Sequence, residues 1–191
     1  MKKLTVSDVR GPKLYEGFRA DLRDRVIALK RRRRVSVGPV VTLVFENRAT
    51  VLFQVEEMCR AEGIADPAKI AEEVRVYNQI LPEEGELGAT LFIELTDPAR
   101  MQGTLDDLVG LQEHVWLDVD GAPVRATFDP EQFTTDRLAA VQYLRFPLGV
   151  AAREAVKRAG AALQLRIDHP RYRHATVLDD ATSAELAADL G

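Results

Sequence analysis

Residues 40–46 read VVTLVFE, and residues 47–62 read NRATVLFQVEEMCRAE. The first run is apolar and β-branched, the composition of a strand with little exposure. The second opens on Asn47, whose side chain suits a helix N-cap. Val51, Leu52, Val55 and Met58 then recur at helical spacing and define one apolar stripe. A strand running straight into an amphipathic helix calls for both sheet and helix in the same domain.

The pattern extends in both directions. Downstream, Asp66 and Pro67 predict a further helix start, with Ile70, Val74 and Tyr77 facing inward. Residues 81–88 read as a loop and 89–95 as a strand. Asp97 and Pro98 begin a helix through about residue 109. Residues 114–120 and 124–128 form a hairpin around the Asp120-Gly121 turn signal. Residues 140–146 are a strand stopped by Pro147, 150–159 a helix ended by Gly160, 161–168 and 172–178 two more strands, and 182–190 a closing helix. Upstream, residues 15–33 predict one helix carrying Phe18, Leu22, Val26 and Leu29 on its buried face, broken by Gly38 and Pro39. The count is about seven strands and five or six helices. Several links are too short for parallel crossovers, so the expectation is a mostly antiparallel sheet covered by helices, an α+β fold. No internal repeat or domain-sized linker divides residues 1–191, which predicts one domain.

Composition narrows the class. The chain has 191 residues, 46% apolar and 29% charged, enough to bury a core without a disulfide or metal staple. Its one cysteine, Cys59, excludes an internal disulfide and a cysteine-rich zinc site. Cys59 borders the apolar stripe of its helix and reads as a small core residue. No apolar run is long enough for a membrane helix. The short apolar stretch after Met1 does not make a signal peptide, so the expected location is cytoplasmic.

Charge is unevenly spread. Residues 1–48 hold 13 Lys/Arg against 5 Asp/Glu, a net of +8, which leaves a net of −12 for the remainder. The run Lys30, Arg31, Arg32, Arg33 and Arg34 closes the first helix, where cations complement the macrodipole. It is a candidate site for an anion or an acidic protein partner, or else a solvated or internally paired face. The overall charge of −4 and the lack of interleaved aromatics argue against a dedicated nucleic-acid binder.

Catalytic motifs are missing. There is no Walker A sequence, no G-x-G-x-x-G and no G-x-S-x-G elbow. His114, His169 and His174 do not fall into metal-ligand spacings, so no metal or cofactor is predicted from motifs. The strands hold the remaining candidates. Alternation puts Val115, Leu117 and Val119 on one face, with His114, Trp116 and Asp118 on the other. Arg125 and Thr127 return on that second face. In the 140–146 strand, Val141, Tyr143 and Arg145 alternate with Gln142, Leu144 and Phe146. His114, Trp116, Arg125, Tyr143 and Arg145 therefore make a candidate pocket. Arg145, in an apolar strand, is expected to be buried and paired with a protein carboxylate, or alternatively with a bound anion.

Residues 25–62, RVIALKRRRRVSVGPVVTLVFENRATVLFQVEEMCRAE, resemble the first part of a bacterial domain-of-unknown-function family. GATLFIEL at 88–95, LVGLQEHVW at 108–116 and AVQYLRFPL at 140–148 continue the resemblance over nearly the whole chain. The resemblance implies genes lying beside those of rubrerythrin and iron–sulfur oxidoreductases, and so a role in redox or oxidative-stress physiology. It carries over no catalytic residue. Two functions are expected from the sequence. One is a non-enzymatic accessory or interaction protein with an acidic or redox partner. The other is a protein or enzyme that binds a small molecule, an anion or a metal or haem cofactor near His114, Tyr143 and Arg145.

Overall fold

The computed structural model describes residues 1–132 and 138–191. Among these residues the chain forms seven α-helices and nine strands in two antiparallel sheets. The helices are α1 Pro12–Glu16, α2 Arg19–Arg31, α3 Arg48–Ala61, α4 Pro67–Tyr77, α5 Met101–Asp107, α6 Val150–Lys157 and α7 Asp180–Asp189. The strands are β1 Arg34–Val37, β2 Val41–Glu46, β3 Glu86–Ile93, β4 Val115–Val119, β5 Ala122–Arg125, β6 Thr127–Phe128, β7 Val141–Pro147, β8 Leu163–His169 and β9 Tyr172–Val177. The five-stranded sheet has the order β1-β2-β3-β7-β6, and the four-stranded sheet β5-β4-β8-β9.

One hydrophobic core joins the two sheets. Val41, Leu43 and Phe45 of β2, Leu87, Ala89 and Leu91 of β3, and Leu144 and Phe146 of β7 share it with Val115, Leu117, Leu165 and Ile167 of the second sheet. Leu186 and Leu190 at the C-terminal helix belong to it as well. The other face of the five-stranded sheet is covered in part by α3. Glu46 on β2 is buried there, and its carboxylate accepts from Thr50 and Gln54 of α3 and from Thr90 of β3. A second core unites Val51, Val55 and Cys59 of α3 with Ile70 and Val74 of α4.

The α+β class and the antiparallel pairing are as expected; the element count is not. The expected helix over 15–33 is two helices, because the chain breaks at Gly17 between α1 and α2. Phe18 consequently sits outside the apolar stripe and is 50% exposed, with the Arg10 guanidinium over its ring. The basic run does not finish in the helix. Arg34 opens β1, which pairs with β2 from Arg34–Val44 to Val37–Val41, and Gly38 makes the hairpin turn at φ 74°. The expected strand over 124–128 is also two. β5 pairs with β4 up to Arg125, the Ala126 N–H still bonds to the Val115 carbonyl, and from Thr127 the chain pairs with β7 in the other sheet. Ala126 is the corner between sheets.

Candidate functional site

β7 presents Val141, Tyr143 and Arg145 on the face opposite the core, as its alternation predicts. Beside them, α3 and α4 leave that face uncovered, and a cleft of about 700 Å³ remains. Met58, Val76, Tyr77, Ile80, Phe128, Pro130 and Leu144 supply its apolar wall; Gln79, Thr127, Gln132, Tyr143, Arg145 and the carboxylates Glu73 and Asp129 supply its polar groups.

Arg145 is less buried than expected, and Glu86 is its carboxylate partner. Its side chain is 31% exposed, and Glu86 Oε2 lies 3.8 Å from its Nη1. Its main hydrogen bond runs from Nη2 to the Gln79 carbonyl at 2.6 Å. The guanidinium is shared between a short bond to a neutral carbonyl and a longer contact to the Glu86 carboxylate. Burial, and then the negative charge of Glu46, push the Tyr143 phenol above its ordinary pKa. Tyr77 is also raised, by burial first and then by Tyr143 and Glu73. Both phenols stay protonated and able to donate at neutral pH. Among the described residues neither phenol oxygen has a hydrogen-bond partner.

The remaining three residues of the sequence-predicted pocket lie elsewhere. Trp116 and Arg125 belong to the four-stranded sheet, on its face away from the core, and His114 immediately precedes β4 beside them. There Arg166 binds Asp118 through two hydrogen bonds of 2.9 and 3.1 Å and reaches Asp168 at 3.0 Å. Asp168 also accepts from the Trp116 indole at 3.1 Å and lies 3.1 Å from His114 Nδ1. Arg125 and Arg166 both stand near the Trp116 ring, 5.9 and 5.4 Å from its centroid, and Arg125 pairs with Glu113. This is a self-matched network in which each charge has a partner. The separation from Tyr143 and Arg145 follows from the corner at Ala126, which a continuous hairpin strand would not contain.

The basic run is largely spent inside the molecule. Arg32 pairs with Glu185 at 2.7 Å, and Arg34 pairs with Glu94 at 2.6 Å while lying over the Phe92 ring. Arg33 is fully buried, donating to the Phe45 carbonyl at 2.8 Å, to Glu185 at 3.2 Å and to Asp189. Lys30 and Arg31 have no ion pair among the described residues. His169 has both ring nitrogens engaged, Nε2 donating to the Val109 carbonyl and Nδ1 accepting from the Arg171 N–H. His174 packs on Tyr172. Among the described residues no group of three or more His, Cys, Asp or Glu side chains is placed to hold a metal ion. Cys59 is buried, and burial raises its thiol pKa, which makes it a poor nucleophile. Among the described residues, no helix is long and apolar enough to cross a membrane.

A family model described as a protein of unknown function matches residues 3–190. The chain belongs to this family, DUF3501. A crystal structure of a novel protein of unknown function from Burkholderia pseudomallei K96243 is similar to this DUF3501 chain at 36% identity and a TM-score of 0.93, covering 100% of both chains. No curated protein matches it.

Nothing in the DUF3501 sequence marks Met58, Tyr77 or Gln132 as site residues. The three-residue step after Val74 predicts an inward-facing Tyr77. It is only half-buried, because α4 ends at Tyr77 and the ring lies at the edge of the second core. Met58 sits in the apolar stripe of α3, and nothing local distinguishes a stripe residue facing a cleft from one facing a core. Gln132 carries no sequence signal at all.

Proposed function

We propose that this DUF3501 protein binds a small amphipathic anion in the cleft between α3–α4 and β6–β7. One observation carries the reading. A partly exposed guanidinium, bonded to a backbone carbonyl at 2.6 Å and to Glu86 only at 3.8 Å, shares an apolar-walled cleft with two phenols that lack hydrogen-bond partners among the described residues. Arg is always charged and offers a planar fork of donors suited to a carboxylate. Two protonated phenols add neutral donors, alongside the carboxylates of Glu73 and Asp129 that also line the cleft. A volume of about 700 Å³ is ordinary for a small-molecule site. With no activated nucleophile beside it among the described residues, the cleft supports binding and orientation of a ligand. The accessory-protein reading depends on free positive charge, and Arg32, Arg33 and Arg34 commit theirs to internal carboxylates. Lys30 and Arg31 are what remain of the run for a partner, and a redox role rests on the gene neighbourhood that the family resemblance implies.

Isothermal titration calorimetry with benzoate, phenylacetate and hexanoate tests the proposal. Wild type is expected to bind at least one of them, and Arg145→Gln to lose that binding while keeping its fold by circular dichroism. Binding that survives Arg145→Gln unchanged would place the anion elsewhere and overturn the assignment.

A further inference from the structure

Arg145 and Glu73 line the cleft from different walls, Arg145 on β7 and Glu73 on α4. These opposite charges do not pair with each other. Arg145 has Glu86 as its ion partner, at 3.8 Å. Glu73 is half-buried and has neither an ion pair nor a side-chain hydrogen bond among the described residues. It stands one turn before Tyr77 on the same side of α4, and its charge helps to raise the Tyr77 phenol.

A half-buried carboxylate beside apolar side chains is costly unless a cation meets it. Asp129 also lines the cleft, and it is already engaged within the protein. Met58, Val76, Ile80 and Leu144 give the same cleft its apolar surface, and Val76 is 47% exposed. The cleft thus offers a guanidinium to a carboxylate, a carboxylate to an ammonium, and apolar surface to whatever joins them. A ligand that carried a carboxylate alone would add its negative charge to that of Glu73. A ligand that also carried an ammonium would match both protein charges at once.

We infer that the ligand of this cleft is an amino acid with an apolar body, its carboxylate on Arg145 and its ammonium on Glu73. This rests on the proposed anion site at Arg145 and names the second charged group of the same ligand. The second contact is intramolecular once the first has formed, so it strengthens binding only when the two ligand charges are spaced as Arg145 and Glu73 are. The position of the ammonium on the chain therefore reports that spacing.

Calorimetry with hexanoate, norleucine and ε-aminocaproate tests it. These are one acid without an amine, with an ammonium beside the carboxylate, and with an ammonium at the far end. At least one of the two amino acids is expected to bind wild type about tenfold more tightly than hexanoate, as one charge-assisted contact would give. Glu73→Gln should erase that preference and leave hexanoate bound at least as tightly as before. Glu72→Gln removes the same charge one residue away on α4, at an exposed position outside the cleft, and should leave the preference intact. Arg145→Gln should abolish binding of all three, with the fold of each variant checked by circular dichroism. Hexanoate binding as tightly as both amino acids overturns the inference and leaves the Arg145 site standing. So does a preference that survives Glu73→Gln or is lost equally in Glu72→Gln, and so does failure of all three probes where benzoate or phenylacetate binds. Failure of all five acids overturns both readings.

Discussion

Gln132 holds Tyr143 by both of its backbone polar groups. The Tyr143 N–H donates to Gln132 Oε1 at 2.7 Å, and Gln132 Nε2 donates to the Tyr143 carbonyl at 3.0 Å. A side-chain amide has the donor and acceptor spacing of a peptide, so Gln132 acts as one more residue of an edge strand. β6 supplies only Thr127 and Phe128 opposite Arg145 and Leu144, and Gln132 takes the next place along β7. The cleft rim and the strand that carries its phenol and guanidinium are thereby fixed to each other.

Gln132→Ala removes both bonds at an exposed site and is expected to cost about 1 kcal/mol. For a chain of this size that is a fall of roughly 2–4 °C in Tm. Gln132→Glu keeps an acceptor for the Tyr143 N–H but sets a carboxylate against its carbonyl. It should be less stable than Gln132→Ala at neutral pH. Calorimetric melts of the three proteins check the order, and a Gln132→Glu protein as stable as wild type would remove the paired-amide account.

Arg33 carries the second prediction. It is fully buried between Glu185, Asp189 and the Phe45 carbonyl. Arg33→Met leaves Asp189 without its counter-charge and Glu185 with Arg32 alone, and should cost about 3–5 kcal/mol in urea unfolding. Asp189→Asn should behave differently. Burial raises the Asp189 pKa despite the Arg33 and Asn47 contacts, so its charged form is held at a cost. The amide keeps an acceptor for Arg33, and Glu185 still balances the guanidinium. The loss is expected to be less than half that of Arg33→Met. Equal losses would mean that pairing, not desolvation, dominates at Asp189.

These residues also mark where sequence reading stopped. Alternation in β4 and β7 was plain, and the helix starts at Asn47 and Asp66 are capped as expected, each side chain accepting from two backbone N–H groups. What failed was non-local. Arg33 looks like one cation among five. Its burial depends on Glu185 and Asp189, which follow 152 and 156 residues later. β1 was hidden for the same reason, since a four-residue strand beginning with Arg34 has too little alternation to oppose a helix-end reading. The switch between sheets at Ala126 depends on which neighbour each half of the strand meets. That choice divided the expected pocket, leaving Tyr143 and Arg145 in the cleft and His114, Trp116 and Arg125 on the other sheet.

Acid titration should expose the Glu57 cluster. Arg19 hydrogen bonding outweighs the opposing effect of burial and lowers the Glu57 pKa from 4.5 to about 2, with Tyr15 also donating. A depressed folded-state value means that the unfolded chain takes up the proton first as pH falls. The contribution is complete above about 4.5 and is lost progressively down to about 2. Glu57→Gln should therefore be less stable than wild type at pH above that window, with the difference shrinking across it. A difference that stays constant with pH would assign the loss to packing and not to the carboxylate.

The single tryptophan separates the two halves of the divided pocket by experiment. Trp116 reports on the four-stranded sheet, because its indole donates to Asp168 and its ring is flanked by Arg125 and Arg166. The cleft lies on the five-stranded sheet, and no residue of the Trp116 network lines it. A ligand held by Arg145 should leave the emission maximum and the acrylamide quenching of Trp116 unchanged at saturation. Arg166→Ala should raise the quenching with no ligand present, since the ring loses one flanking guanidinium and its carboxylates lose their counter-charge. The same substitution should leave ligand affinity at its wild-type value. If saturating ligand shifts Trp116 emission and Arg166→Ala weakens binding, the anion sits on the four-stranded sheet. His114, Trp116 and Arg125 would then replace Tyr143 and Arg145 as the binding residues.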